Sequence, residues 1–151
     1  MDPAKYMEIA LSEARKGGEV GEVPVGAVVV LDGKVLASAH NEVERLNDVT
    51  AHAEILAIRR ASSKLSNWRL LDAKLFVTLE PCPMCIGAML LARIKDLYYG
   101  CYDPRQGAAG SVFDLSNILN LPHRINVYPE LLAKDSRLLL QEFFAKKRKQ
   151  Q

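Results

Sequence analysis

The sequence predicts an α/β fold, a three-layer α/β/α sandwich built on one mixed sheet of about five strands. Two observations carry this expectation. An apolar, β-branched run from Val25 to Leu31 is followed by Asp32-Gly33 and a second strand-like segment, Lys34 to Ala39, which is the pattern of a tight hairpin. Beyond the hairpin, strand-like and helix-like stretches alternate toward the C-terminus, as in a sheet covered by helices on both faces.

Each element has its own local signal. Asp2 followed by Pro3 marks an N-cap and a first-turn proline, and the spacing predicts a helix that stops at Gly17-Gly18, with Tyr6, Ile9, Ala10 and Ala14 as its inner stripe. After the hairpin, a polar loop from Asn41 to Val49 leads into a helix beginning near Thr50. Ile55, Leu56, Ile58 and Arg59 follow its spacing, and Ser62 to Asn67 ends it. Leu75 to Leu79 reads as a buried strand. Pro81 opens a further helix with Met89, Leu90 and Ile94 on its apolar side, and Leu97 to Tyr99 is a short strand. Gly100 to Ser111, rich in glycine and small residues, is expected to be a functional surface loop. Ile125 to Tyr128 is a last strand. Glu130 to Lys149 forms a final helix with Leu131, Leu132, Leu138, Leu139, Phe143 and Phe144 as apolar positions. No repeat, low-complexity tract or linker interrupts the chain, so residues 1–151 are expected to form a single domain.

A length of 151 residues suffices for one continuous core, and 49% hydrophobic with 25% charged residues excludes disordered, collagen-like and coiled-coil classes. The longest apolar runs, Ala27 to Leu31 and Ile86 to Ala92, are too short, or too broken by Gly87, to span a membrane. The opening MDPAKYMEIALSEARK places charges among its apolar residues, unlike a signal peptide, so the expected location is the cytoplasm. Net charge is +2, and setting aside the four cations Lys146, Lys147, Arg148 and Lys149 leaves −2 for the remainder. Such a run is either a solvated helix end or a contact for nucleic acid.

Three cysteines are too few for a disulfide framework, and a close pair in a reducing compartment more often binds metal or does chemistry. Cys82 and Cys85 stand three apart at an expected helix start, where their sulfurs share a side and the helix dipole favours thiolates. Cys101 reads as a small buried hydrophobe. Among His40, His52 and His123, His52 is the best third ligand. Three protein groups leave a fourth position for water, the arrangement of a catalytic zinc rather than a structural one. Glu54 is then the candidate to move protons between that water and a substrate, provided His52 sits at the irregular start of its helix. Taken singly, each feature has a plainer reading: His-x-Glu arises by chance, Glu54 suits a first helical turn, and Cys-x-x-Cys also serves redox proteins.

Together, His52-Ala53-Glu54 and Pro81-Cys82-Pro83-Met84-Cys85 resemble the zinc deaminases of the cytidine-deaminase-like superfamily. The chain is similar to bacterial tRNA adenosine deaminases over nearly its whole length. The likeness lies in Gly21 to Val30 (GEVPVGAVVV), His40-Asn41, Thr50 to Ile55 (TAHAEI), Val77 to Cys85 (VTLEPCPMC), Gly107 to Ser111 (GAAGS), His123-Arg124 and Phe143-Phe144. The resemblance implies one zinc ion per subunit on His52, Cys82 and Cys85. Activated water would attack C6 of adenine while Glu54 shuttles protons, leaving inosine at the wobble position of an anticodon. It further implies that Asn41 binds the target nucleoside, that Val23 and Pro24 line its pocket, and that Asp103, Phe144, Lys147 and Arg148 touch the surrounding RNA. A homodimer acting on the anticodon stem-loop of an arginine tRNA is implied as well.

Two positions depart from the family pattern: Val49 stands where proline usually precedes TAHAE, and Pro83 replaces a branched apolar residue between the cysteines. Pro-Cys-Pro-Met-Cys also resembles guanine deaminases, so a deaminase of a free base, guanine or cytosine, is the alternative. A non-enzymatic, zinc-stabilised RNA-binding module is the third reading. The GAAGS segment and the basic C-terminus favour the tRNA substrate, and Glu54 beside a three-ligand site disfavours the module.

Overall fold

The computed structural model describes residues 1–117 and 123–150. In chain order the elements are α1 (Pro3–Glu19), β1 (Gly26–Leu31), β2 (Lys34–His40), α2 (Val43–Leu46), α3 (Ala53–Leu65), β3 (Lys74–Leu79), α4 (Pro83–Ala92), β4 (Asp96–Cys101), β5 (Asn126–Tyr128) and α5 (Ala133–Lys149). The strands form one mixed sheet in the order β2-β1-β3-β4-β5, antiparallel on the hairpin side and parallel from β3 to β5. At the hairpin, Leu31 pairs with Lys34 across Asp32 and Gly33, both at positive φ, as the tight two-residue turn requires.

Alternation along the strands generates the three layers. Ala27, Val29, Leu75, Val77, Leu97 and Tyr99 join one core with residues of α3 and α4, whereas Val28, Val30 and Phe76 join another with Tyr6, Met7, Ala10 and Leu11 of α1. Burial on both faces explains why β1 reads as an unbroken valine-rich run. Among the described residues, no helix is long and apolar enough to cross a membrane.

Several local expectations give way to packing. Helix α1 runs through Gly17-Gly18 to Glu19. Those glycines permit close approach, since a Cβ would come 3.1 Å from the His40 ring at Gly17 and 3.3 Å from Pro24 at Gly18. Its buried stripe includes Met7 and Leu11, while Ile9 is half-buried. The polar segment after Asn41 contains the one-turn helix α2. Helix α3 starts at Ala53 rather than Thr50, and α4 at Pro83 rather than Pro81, each preceded by an extended residue, His52 and Cys82. Ile94 lies beyond α4, after a left-handed turn at Arg93.

The segment expected as a surface loop is not one throughout: β4 takes up Gly100 and Cys101, and Gly107, Ala108 and Ala109 are buried. Helix α5 starts at Ala133, leaving Leu131 and Leu132 before it, and its apolar positions are half-buried or exposed. Its buried residue is Ser136, whose Oγ lies so near Gly100 that a Cβ there would overlap it and the Thr78 carbonyl. Small residues, not a broad apolar stripe, bring α5 against the sheet.

Candidate active site

At the carboxyl end of β3 the chain turns through Glu80 and Pro81 into Cys82, the N-cap of α4. Pro83 occupies the first helical position, where a missing N–H costs nothing and φ is already helical. His52 is the N-cap of α3, extended at φ −73° and ψ 150°. The two helices therefore converge by their N-termini, where unpaired N–H groups favour negative charge.

His52 Nδ1 lies 3.6 Å from Cys82 Sγ and 3.5 Å from Cys85 Sγ, and all three atoms lie within 4.8 Å of one another. Tetrahedral bonds of about 2.3 Å to sulfur and about 2.0–2.1 Å to nitrogen place such ligand atoms about 3.6 Å apart, so this group could hold a metal ion as it stands. A donor set of two sulfurs and one imidazole suits zinc. The other histidines are engaged elsewhere: His40 Nδ1 is 2.9 Å from the Asn41 carbonyl, and His123 Nε2 is 2.7 Å from that of Ile94.

Protons are unevenly held in this group. The Cys85 thiol, with help from His52, holds the Cys82 thiol down at about 4. Cys85 is pushed up as the donor to Cys82, and burial adds to this. The hydrogen bond with Cys82 raises His52. A metal taking all three atoms needs both sulfurs as thiolates and the imidazole neutral, so binding expels protons.

Glu54 is the second residue of α3, which frees its side chain from the direction taken by the N-cap His52. It is buried on the wall of a cleft of about 230 Å³ that His52 and Cys82 also line. Burial lifts its carboxyl to about 7.

Asn41 lines the same cleft, and its side-chain carbonyl accepts the Ala53 N–H at 2.8 Å, capping α3. That bond leaves its amide hydrogens as the group available to a ligand. Val23 and Val25 line the cleft, whereas Pro24 lies against α1 near Gly18: the Val25 N–H donates to the Val23 carbonyl at 2.8 Å, a three-residue turn that puts Pro24 at its tip and both valines on the other side. Asp103 and Lys147 line the cleft too, with one Asp103 oxygen accepting the Arg105 and Gln106 N–H groups. Phe144 lies in an adjoining groove with Tyr102, Arg105 and Leu140. Arg148 is exposed near the end of α5 and lines neither space.

Sequence reasoning passed over two buried carboxylates on the cleft, Glu22 and Glu80. Glu22 accepts the N–H groups of Glu44 at 3.1 Å and Arg45 at 2.9 Å, holding α2 beside the opening. Glu80 accepts from the segment 103–111. The available signal was an acidic residue inside an otherwise apolar stretch, as in VTLEPC, since a charge is seldom buried unless donors meet it.

A family model of the MafB19-like deaminases matches residues 1–148. The chain belongs to that family. This deaminase is 50% identical to a tRNA-specific adenosine deaminase of Agrobacterium fabrum, over 95% of this chain and 94% of the relative. It is 49% identical, with a TM-score of 0.83, to a solved tRNA:A34 deaminase studied for A-to-I editing at the wobble position of transfer RNA, over 90% of this chain and 99% of that one. A guanine deaminase from Bacillus subtilis is also similar, at 35% identity and a TM-score of 0.66, over 98% of this chain and 95% of that one.

Proposed function

We propose that this deaminase converts adenosine to inosine at the wobble position of a tRNA anticodon. The observation that carries the reading is Glu54, a buried carboxyl lifted to about 7 beside a His-Cys-Cys group that fits a tetrahedral ion. Zinc bound by His52, Cys82 and Cys85 would supply a nucleophilic water at neutral pH. Glu54 accepts a proton from that nucleophile and delivers it to N1 of adenine, then serves the departing ammonia. A group that titrates near the working pH can both take and give. The balance is hydrolytic: adenosine and water give inosine and ammonia.

Asn41, its carbonyl committed to α3, donates its amide N–H groups to the base, and Val23 packs against it. Asp103 and Lys147 at the cleft, Phe144 in the adjoining groove and Arg148 beyond it are the residues for the RNA on either side. Pro24 supports the wall from behind. A cytoplasmic homodimer carrying one zinc per subunit and acting on an arginine tRNA completes the reading.

A second reading, deamination of free guanine, is favoured by Pro83 between the cysteines and by the Bacillus subtilis relative. Higher identity to tRNA-specific enzymes supports the first. The deciding experiment measures inosine formed in an anticodon stem-loop beside turnover of free adenosine, cytidine and guanine. Turnover of guanine without inosine in the RNA rejects the proposal.

A further inference from the structure

Glu80 carries no part of the chemistry outlined above, yet it is only 2% exposed and stands two residues before the ligand Cys82. A buried carboxylate offers about four lone-pair sites and no donors. Here four donors meet it, two on each oxygen. Oε1 accepts the Asp103 N–H at 3.0 Å and the Ser111 hydroxyl, and Oε2 accepts the Ala109 and Ser111 N–H groups, both at 3.0 Å. The donors come from both ends of one segment, which curls around the carboxylate. Gly107 is enclosed in the curl: a Cβ there would overlap Glu80 Cδ and Oε1 and the Asp103 carbonyl. This is why the small residues 107–109 lie buried rather than in solvent.

The arrangement has a directional consequence. The same segment presents Asp103 and Gln106 to the catalytic cleft, and Pro104 and Arg105, with the preceding Tyr102, to the groove beside it. Backbone bonds tie its inner half to the fold, with the Ala108 N–H donating to Pro81 at 2.8 Å and the Leu115 N–H to Ala108 at 2.9 Å. The outer half, where Asp103 to Gln106 sit, reaches the metal-ligand segment through the Glu80 carboxylate.

We propose that Glu80 is a positioning residue for substrate recognition: it fixes segment 103–111 as a preformed wall against which the RNA flanking the target nucleoside rests. The proposal rests on the reading of the site as an RNA adenosine deaminase. A preformed wall spares the ordering cost of a loose loop on binding, so its loss appears in KM more than in kcat.

The test is Glu80→Gln. Glutamine keeps the shape but turns one end into an NH2 group facing two donors, so half of the acceptor sites are lost. The variant is expected to keep one zinc per chain, to raise KM for an anticodon stem-loop about tenfold, and to change kcat less than about threefold. Amide exchange at residues 103–111 should quicken while α3 and β3 stay protected. Ser111→Ala removes one donor from the surface and should give the same pattern more weakly, which keeps the test decisive if Glu80→Gln fails to fold. An unchanged KM, a fall in kcat alone, or unchanged exchange of the segment in both variants overturns the proposal. Failure of the parent to make inosine in the stem-loop would instead overturn the functional reading, and the exchange measurement, made without substrate, separates the two.

Discussion

The side-chain carbonyl of Asn41 accepts the backbone N–H of Ala53 at 2.8 Å, so one residue caps α3 and turns its amide hydrogens toward the cleft. The two duties are separable. Asn41→Asp keeps the acceptor for Ala53 but replaces the donor in the cleft with another acceptor, whereas Asn41→Ala removes both. Asn41→Asp should therefore fold and hold metal like the parent while KM rises about 5-fold to 100-fold, and Asn41→Ala should in addition lose about 1 kcal/mol of stability. Steady-state kinetics beside thermal melting checks both; equal stability losses in the two variants would contradict the cap.

Glu54→Gln should bind metal normally and lose about 10²–10⁴-fold or more in kcat. Its effect on the metal-free protein runs the other way. Because the fold lifts the Glu54 carboxyl to about 7, ionising it inside the protein costs more than in the unfolded chain. That cost is absent in acid and grows as pH rises from the ordinary carboxylate value toward 7. Metal-free Glu54→Gln should thus be more stable than the metal-free parent above pH ~7, by on the order of 2–3 kcal/mol, with the difference vanishing near pH ~4. Denaturant melts at the two pH values measure it.

Cys85→Ala should purify with little zinc, and chelation of the parent should lower its melting temperature, because binding by three ligands from two helices stabilises only the folded state. Metal analysis of the purified proteins decides the first part. Full zinc content in Cys85→Ala would remove that residue from the ligand set.

Lys147 lines the cleft and Arg148 follows it, beyond the last apolar side chains of α5. Replacing both by alanine should leave melting and zinc content unchanged. The slope of log affinity for the stem-loop against log salt should shrink by up to about 1.4–1.8, that is, two phosphate contacts. Binding titrations from low to moderate salt give the slope, and an unchanged slope would make the two residues a solvated helix end.

Away from the cleft, Lys74 Nζ lies 2.6 Å from Asp96 Oδ2, and the Asn126 amide donates to Oδ1 at 3.0 Å. Burial alone would raise the Asp96 carboxyl, but Lys74 and Asn126 outweigh it and hold it below its ordinary value. The stability this contributes is complete above the unfolded-state value and is lost as pH falls through the lower folded one, below pH ~4. Lys74→Met should lower stability at neutral pH by about 1–3 kcal/mol and flatten the acid end of the pH profile. Urea melts across pH 3 to 7 would show it.

What the sequence made legible was whatever short-range geometry controls. The Asp32-Gly33 turn needs two residues at positive φ, and the spacing of Cys82 and Cys85 puts both sulfurs at one helix end whatever the rest of the chain does. Reading Gly17-Gly18 as a stop and Gly107-Ala108-Ala109 as surface failed for a common reason. In both places small residues mark where another group comes close, His40 and Pro24 in one case and Glu80 in the other, and closeness between distant segments leaves no trace in local periodicity. The side that Pro24 takes follows from the turn bond between the Val25 N–H and the Val23 carbonyl, and no local pattern in the sequence shows which side of that turn meets the cleft. Glu22 and Glu80 went unnoticed because their partners are mostly backbone N–H groups, which every residue but proline possesses.

The seating of α5 through Ser136 at Gly100 sets an order of events on warming. With one small side chain fully buried and its distal turns largely solvated, this helix holds far less of its area against the sheet than α1 does. Its far end belongs to the least protected part of the fold, and that end carries Lys147. Cys82 and Cys85 belong to the larger core on the opposite face, with α3 and α4, and half-buried His52 meets them at the floor of the cleft. Heat therefore frays the cationic rim of the cleft first, so if Lys147 holds RNA as proposed, a warmed sample loses that grip while His52, Cys82 and Cys85 still stand together.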